Sequence, residues 1–226
     1  MQKFTALQKF SSSIDHLVVT APSLESGAAW IQQQLGCALQ PGGRHPRMGT
    51  HNQLLRIGPD CYLEVLAIDP AATAPTQPRW FGLDHAASRS VPRLAAWVMR
   101  TNHIHELAPL APAELGPVQA MQRGDLEWLI TIPADGACPF DGTLPPLIQW
   151  QTTSPPAARL PESSLTLQRL QLRHPEADRL REWFDRAGLA GPIELIRSAP
   201  GETVGLTASF QRGAGGELVQ LGGSRS

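Results

Sequence analysis

Lysine is nearly missing from this 226-residue chain. It occurs only at Lys3 and Lys9, so almost all of the 19 basic residues are arginine. We read that preference as compositional bias of the source genome. With 20 acidic residues the formal net charge is −1, which leaves no broad basic face for nucleic acid or an anionic membrane surface. Cysteine is scarce as well. Cys37, Cys61 and Cys138 are odd in number, widely spaced and contain no Cys-x-x-Cys pair, which argues against a disulfide framework or a thiolate zinc site and for a reducing compartment. No apolar run approaches the ~18 residues of a membrane span, and Met1 to Ser13 has no continuous apolar segment of a secretion signal. The expectation is a soluble cytoplasmic protein. Gly-x-Ser-x-Gly, Walker A and His-Glu-x-x-His patterns are also lacking, which removes the hydrolase, nucleotide-binding and metalloprotease signatures they carry.

What the chain has instead is 20 glycines and 21 prolines against a background that is 42% hydrophobic and only 17% charged. That balance excludes disorder and points to many turns between short apolar elements. Ile14 to Thr20 reads as a buried strand from its β-branched content. Ser23 reads as a helix N-cap, Leu24, Ala28, Ile31 and Leu35 recur at helical spacing, and Gly36 marks the stop. A short strand near Cys37 to Leu39 and a Pro/Gly-rich loop at 41–49 follow. Strands at Gln53 to Ile57 and Tyr62 to Ile68 flank a Gly58-Pro59-Asp60 turn. Residues 14–68 thus spell βαβββ, and residues 93–151 repeat that order with a weaker helix around Asn102 to Leu107. After a linker at 154–163, residues 165–222 spell it a third time, with Leu180, Trp183, Phe184 and Ala187 as a helical apolar stripe ended by Gly188. The expected fold is α+β, built of repeated βαβββ modules with curved mixed sheets forming a cleft. Its domains would be a pair (14–68 and 93–151, together 14–151) plus an additional unit at 165–222.

Ile14-Asp15-His16-Leu17-Val18, Gly49-Thr50-His51-Asn52 and Tyr62-Leu63-Glu64-Val65, followed by Trp80-Phe81-Gly82-Leu83-Asp84 and Pro146-Leu147-Ile148-Gln149-Trp150, resemble the glyoxalase-like domain of the vicinal oxygen chelate superfamily. The resemblance covers roughly residues 14–156. It implies paired modules around a cleft that in many relatives holds a divalent metal chelating two substrate oxygens. Lyase, isomerase and extradiol dioxygenase activities are known among relatives, and others only sequester a ligand, so a fold follows more firmly than a reaction.

Strand alternation puts His16 on one face of the first strand and Glu64 on one face of the fourth; if those strands are neighbours, an imidazole and a carboxylate converge. The resemblance implies that these are metal-ligand positions, with Gln149 as the counterpart of Glu64 in the second module and Ala96 as that of His16. Zn²⁺, Mn²⁺, Fe²⁺ or Ni²⁺ accepts such mixed ligands, but alanine cannot ligate, and the constellation is incomplete. The competing reading makes His16 a satisfied strand histidine and Glu64 the partner of an arginine. His45, His51 and Asn52 flank the glycine-rich loop and are further candidates to turn inward. His103-Ile104-His105-Glu106 reads as a surface helix start.

Trp97, Trp128 and Trp150 fall on three strands of the second module, either as core or as the aromatic wall of a pocket for a small, partly apolar ligand. Arg123, in a turn before Leu126, is placed to meet an anionic group of that ligand or to lie on the surface. Two functions follow. One is a metal-dependent lyase, isomerase or dioxygenase with Glu64 as ligand or proton acceptor. The other is a metal-free protein that binds a small molecule in the same cleft. The third unit is expected either to extend the sheet or to make a homodimer contact.

Overall fold

The run Ser12–Thr20 forms strand β1, buried along almost its whole length. Ser23 then caps helix α1 (Leu24–Leu35): its hydroxyl accepts from the Ser26 amide, and the Ser26 hydroxyl faces back to the cap. Gly36, at φ 62°, ends the helix in the left-handed conformation that glycine adopts without a Cβ clash. Strands β2 (Gln40–His45), β3 (Thr50–Arg56) and β4 (Tyr62–Ile68) complete the first module. The computed structural model describes residues 10–85 and 90–222; Lys3, Lys9 and most of the stretch Met1 to Ser13 lie outside them.

Strand β2 departs from expectation. Pro41, Gly42 and Gly43 are strand rather than loop, with a register shift against β3 between Pro41 and Arg44. An edge strand admits proline and glycine because one side of its backbone needs no ladder partner.

The second module comprises β5 (Arg93–Thr101), α2 (Ile104–Leu107), β6 (Val118–Arg123), β7 (Leu126–Thr131) and β8 (Leu147–Trp150). Its strands continue the same sheet, in the order β2-β3-β4-β1-β5-β8-β7-β6. Each half pairs its first strand with its fourth in parallel, and β1 and β5 join the halves antiparallel. The sheet curls until its two ends meet. Arg47, just after β2, donates to the Ala120 carbonyl of β6 at 2.8 Å and to Gln119 Oε1. The concave face carries Val18, Leu66, Ala96, Val98, Trp128, Ile130 and Ile148.

A turn of helix, α3 (Pro156–Arg159), leads to β9 (Leu165–His174), α4 (Ala177–Ala187), the two-residue β10 (Leu189–Ala190), β11 (Ile193–Arg197), β12 (Gly205–Arg212) and β13 (Leu218–Gly222). The element order of the first two modules recurs, but the pairing does not. Strand β9 sits between β11 and β12, in the order β11-β9-β12-β13, rather than beside the last strand. Nor does this unit stand apart. Strand β10 pairs with β1, Phe184 of α4 meets Trp97 edge-on at 5.6 Å between centroids, and one continuous core runs from Ile14 and Leu17 to Phe210 and Leu221. The helix of the second module has only four residues against twelve in α1, and α4 with its sheet covers the convex face of β5 instead. Among the described residues, no helix is long and apolar enough to cross a membrane.

Candidate functional site

The concave face holds a recess lined by polar residues of the first module and aromatic or aliphatic residues of the second. From the first come His16, His45, Asn52, Tyr62 and Glu64; from the second, Trp128, Ile130, Ile148 and Trp150; Trp80 and Phe81 come from the connection, and Arg123 from the end of β6. The recess with its mouth spans about 360 Å³ and is narrow inside.

The polar side is one connected network. A register shift in β1 between Ile14 and His16 inserts a residue, so Asp15 and His16 both serve the concave side, as bulges often re-aim side chains. His16 Nδ1 lies 2.6 Å from Asp15 Oδ1, and Trp150 Nε1 donates to Asp15 Oδ2 at 2.9 Å. The His16 ring stacks on Tyr62 at 4.6 Å and turns Nε2 toward Glu64 Oε2, 3.5 Å away. That distance is just too long for a direct hydrogen bond, and a proton between the two is needed to make the contact attractive. Asn52 Nδ2 donates to Glu64 Oε1 at 2.5 Å. Its Oδ1 accepts from the Gly43 amide at 2.7 Å and from Arg123 at 3.0 Å. Arg123 also donates to His45 Nε2 at 3.1 Å, so the His45 proton sits on Nδ1 and faces Thr50 Oγ1 at 3.2 Å.

Burial is the main cause of the electrostatic shifts here. His45 is pushed down to about 3, first by desolvation and then by the Arg123 charge, and is neutral. Burial, with the nearby Asp15 and Glu64 charges, raises the Tyr62 phenol well above its ordinary value.

Asn52, Glu64, His16, Arg123, Trp128 and Trp150 are thus brought together. Two residues expected with them are not. Trp97 pairs with Leu17 on the convex face, fully buried, with its Nε1 donating to the Thr143 carbonyl at 3.1 Å. Gln149 alternates with Ile148 and Trp150 and so faces away from the cleft, where its Oε1 accepts from the Ile104 amide at 2.9 Å. Both strands are apolar on both faces, so hydrophobic pattern did not reveal which residues point inward. His103 and His105 are in and beside α2, on the surface. Sequence reasoning missed Asp15 and used Trp80 and Phe81 only as motif residues. The available signal for Asp15 was a carboxylate inside a buried β-branched run, which needs a partner.

A divalent metal was expected between His16, Glu64 and Gln149, and the donors present do not fit one. Among the described residues no three His, Cys, Asp or Glu side chains converge as a metal shell. Gln149 is on the wrong face, the opposite wall of the cleft is Ala96, Val98, Ile148 and Trp150, the Asp15 carboxylate is taken up by His16 and Trp150, and Arg123 puts a cation in the lining. Two donors beside a guanidinium make a poor cation site.

No curated protein is significantly similar to this chain. Among solved structures, a hypothetical protein from Staphylococcus aureus shares the fold at a TM-score of 0.55 and 14% identity, over 83% of this chain and 86% of that one. Methylmalonyl-CoA epimerase from Mycobacterium tuberculosis aligns at 0.41 and 12% identity, over 66% of this chain and 92% of that one. A variant of 4-hydroxymandelate synthase from Streptomyces coelicolor aligns at 0.42 and 18%, over 94% of this chain and 62% of that one. The profile described as glyoxalase-like domain matches residues 14–188, from β1 to just past the end of α4. The chain belongs to the glyoxalase-like domain family.

Proposed function

We propose that this protein binds a small, partly apolar molecule in the concave cleft without a resident metal. The observation that carries this reading is the make-up of the lining. It joins a few hydrogen-bonding groups (His16, Asn52, Glu64 and Arg123) to a larger apolar surface of Trp80, Phe81, Trp128, Ile130, Ile148 and Trp150. Such a pocket suits a ligand with an apolar body and one polar end. The narrow interior requires side chains to shift when a ligand enters, as rotamer changes commonly accompany binding.

The test is a panel of small aromatic and aliphatic carbonyl compounds, followed by quenching of tryptophan fluorescence before and after EDTA treatment. Quenching that persists in EDTA, weakens in Trp150→Ala and occurs with substoichiometric metal by elemental analysis supports the reading. Quenching abolished by EDTA and restored by Zn²⁺ or Mn²⁺ overturns it.

A second reading, an enzyme that moves a proton on the bound molecule, is favoured by one specific contact. Asp15 fixes the His16 ring so that Nε2 faces Glu64, which leaves an acid–base pair able to hold one proton at the edge of the cleft. Exchange of an α-proton of a bound carbonyl compound with deuterium, lost in Glu64→Gln, is the result this second reading requires.

A further inference from the structure

Arg123 is the cation of the cleft lining, and the way it is held bears on what the cleft accepts. Its Nη1 donates to two neutral acceptors, His45 Nε2 and Asn52 Oδ1. Among the described residues it forms no ion pair, and its Nε and Nη2 donate to no acceptor. Asn52 stands between it and Glu64, with the amide nitrogen toward the carboxylate and the oxygen toward the guanidinium. The acidic end of the network is therefore satisfied by Asn52, and the guanidinium charge is left without an anion.

The backbone of β2 is shaped to hold this arrangement. A Cβ on Gly42 would fall 2.0 Å from Asn52 Oδ1 and 2.6 Å from the Asn52 carbonyl oxygen, and one on Gly43 would fall 2.8 Å from Arg123 Cδ. The two missing side chains are the space in which Asn52 and the stem of Arg123 lie. A second unmet donor belongs to the same lining. Trp80 is 5% exposed, packs edge-on to the His45 ring at 5.1 Å, and its Nε1 has no acceptor among the described residues. An indole N–H buried without an acceptor is costly. The lining thus has donors without acceptors near His45, while both Asp15 oxygens and Glu64 Oε1 near His16 are already engaged.

From this imbalance we infer that the ligand of the cleft carries a carboxylate, which pairs with the free edge of the Arg123 guanidinium while its apolar body lies among Phe81, Trp128 and Trp150. A guanidinium matches a carboxylate with two parallel N–H bonds, and the charge-assisted pair is stronger than one with a neutral amide. The acids Asp15 and Glu64 lie at the other end of the network and would repel the same group there, so the orientation is set by charge. This inference rests on the reading of the cleft as a small-molecule site and adds the class of molecule.

The experiment compares benzoate with benzamide, which have nearly the same shape and differ in charge. Binding of each to the full-length protein is followed by tryptophan fluorescence in EDTA, for the wild type, Arg123→Met and Trp80→Phe. The expected result is benzoate at least tenfold tighter than benzamide in the wild type, with the ratio near one in Arg123→Met. Trp80→Phe, which keeps an aromatic ring and removes the N–H, should reduce benzoate affinity more than benzamide affinity. Equal binding of the two compounds to the wild type overturns the carboxylate assignment and leaves the small-molecule reading standing. Binding of neither overturns both. Melting curves of each variant show whether a loss of binding is a loss of folding; if Arg123→Met is unfolded, Arg123→Gln provides the same comparison.

Discussion

Replacing His16 by leucine removes a group that touches both buried acids of the cleft, Asp15 and Glu64. The side chains of Asp15 and Glu64 are 2% and 8% exposed, so neither carboxylate can recover full hydration once the imidazole is gone. Leaving a buried acceptor without its partner costs about 1–3 kcal/mol, and more for a charged group. Asp15 keeps the Trp150 N–H and Glu64 keeps the Asn52 amide, so the loss falls mainly on Asp15 Oδ1 and is expected near about 3 kcal/mol. In a chain of this size each kcal/mol moves the melting temperature by roughly 2–4 °C, so His16→Leu should melt about 6–12 °C below the wild type. The companion variant is His16→Leu/Glu64→Gln, in which the new amide oxygen still accepts from Asn52 but one charge is gone. It should be more stable than His16→Leu alone, and the double-mutant cycle should show a coupling above about 1 kcal/mol. Thermal melts by near-ultraviolet circular dichroism at neutral pH measure both. A His16→Leu protein within 1 °C of the wild type, or strict additivity in the cycle, refutes the argument that His16 compensates the two acids.

Three further outcomes follow from the structure. His45 is held down to about 3 in the folded chain against about 6.5 when unfolded, so only the unfolded state takes up its proton between those values. Its contribution to stability is therefore complete above pH 6.5 and is lost as pH falls toward 3, by up to about 1.4 kcal/mol per pH unit; denaturant titrations of wild type and His45→Gln at several pH values should show the variant with the shallower slope. Gly42→Ala should destabilise the protein and disturb the cleft together, because its Cβ collides with both the side chain and the backbone of Asn52; an unchanged melting temperature would contradict this. Trp97→Ala should cost roughly 3–5 kcal/mol through lost packing on Phe184 and the lost bond to Thr143, with benzoate affinity unchanged under conditions where the variant remains folded, and an altered affinity would place Trp97 in the cleft after all.

Elements with strong local chemistry were legible in the sequence. Helix α1 is written as a serine cap, a repeat of apolar positions and a glycine stop, and β4 as an apolar run broken only by Glu64 after Gly58-Pro59-Asp60. Strand β2 was not, because Pro41-Gly42-Gly43 has the composition of a loop, and only its place at a sheet edge lets it be strand. The site was legible where a polar residue interrupted an apolar run, as at His16 and Glu64. It was illegible where both faces are buried: Ala96 and Trp97, or Ile148 and Gln149, differ in direction by one residue and not in any periodic signal. Asp15 was hidden for a related reason. The register shift that brings it beside His16 depends on how β1 meets β5, and strict alternation assigned it to the opposite face.

The seam that closes the sheet and the polarity of the cleft are the same set of contacts. Strands β2 and β6 are its two ends, and the residues joining them include Arg47 on the outside and the Arg123–His45–Asn52 group on the inside. The first module brings acceptors and the second brings the cation, so neither half alone would hold Arg123 in this place. An anion bound to the free edge of Arg123 would therefore compensate the charge at the point where the two ends meet, and would bind the closed sheet better than an opened one. By mass action such a ligand stabilises the closed form in proportion to its occupancy. Benzoate should accordingly raise the melting temperature in a concentration-dependent way in the wild type, and benzamide should do so much less. The same titration in Arg47→Ala, which loosens the seam without touching the cleft, should need more benzoate for the same rise, because only the closed fraction is able to bind; an undiminished response would refute the link between seam and cleft.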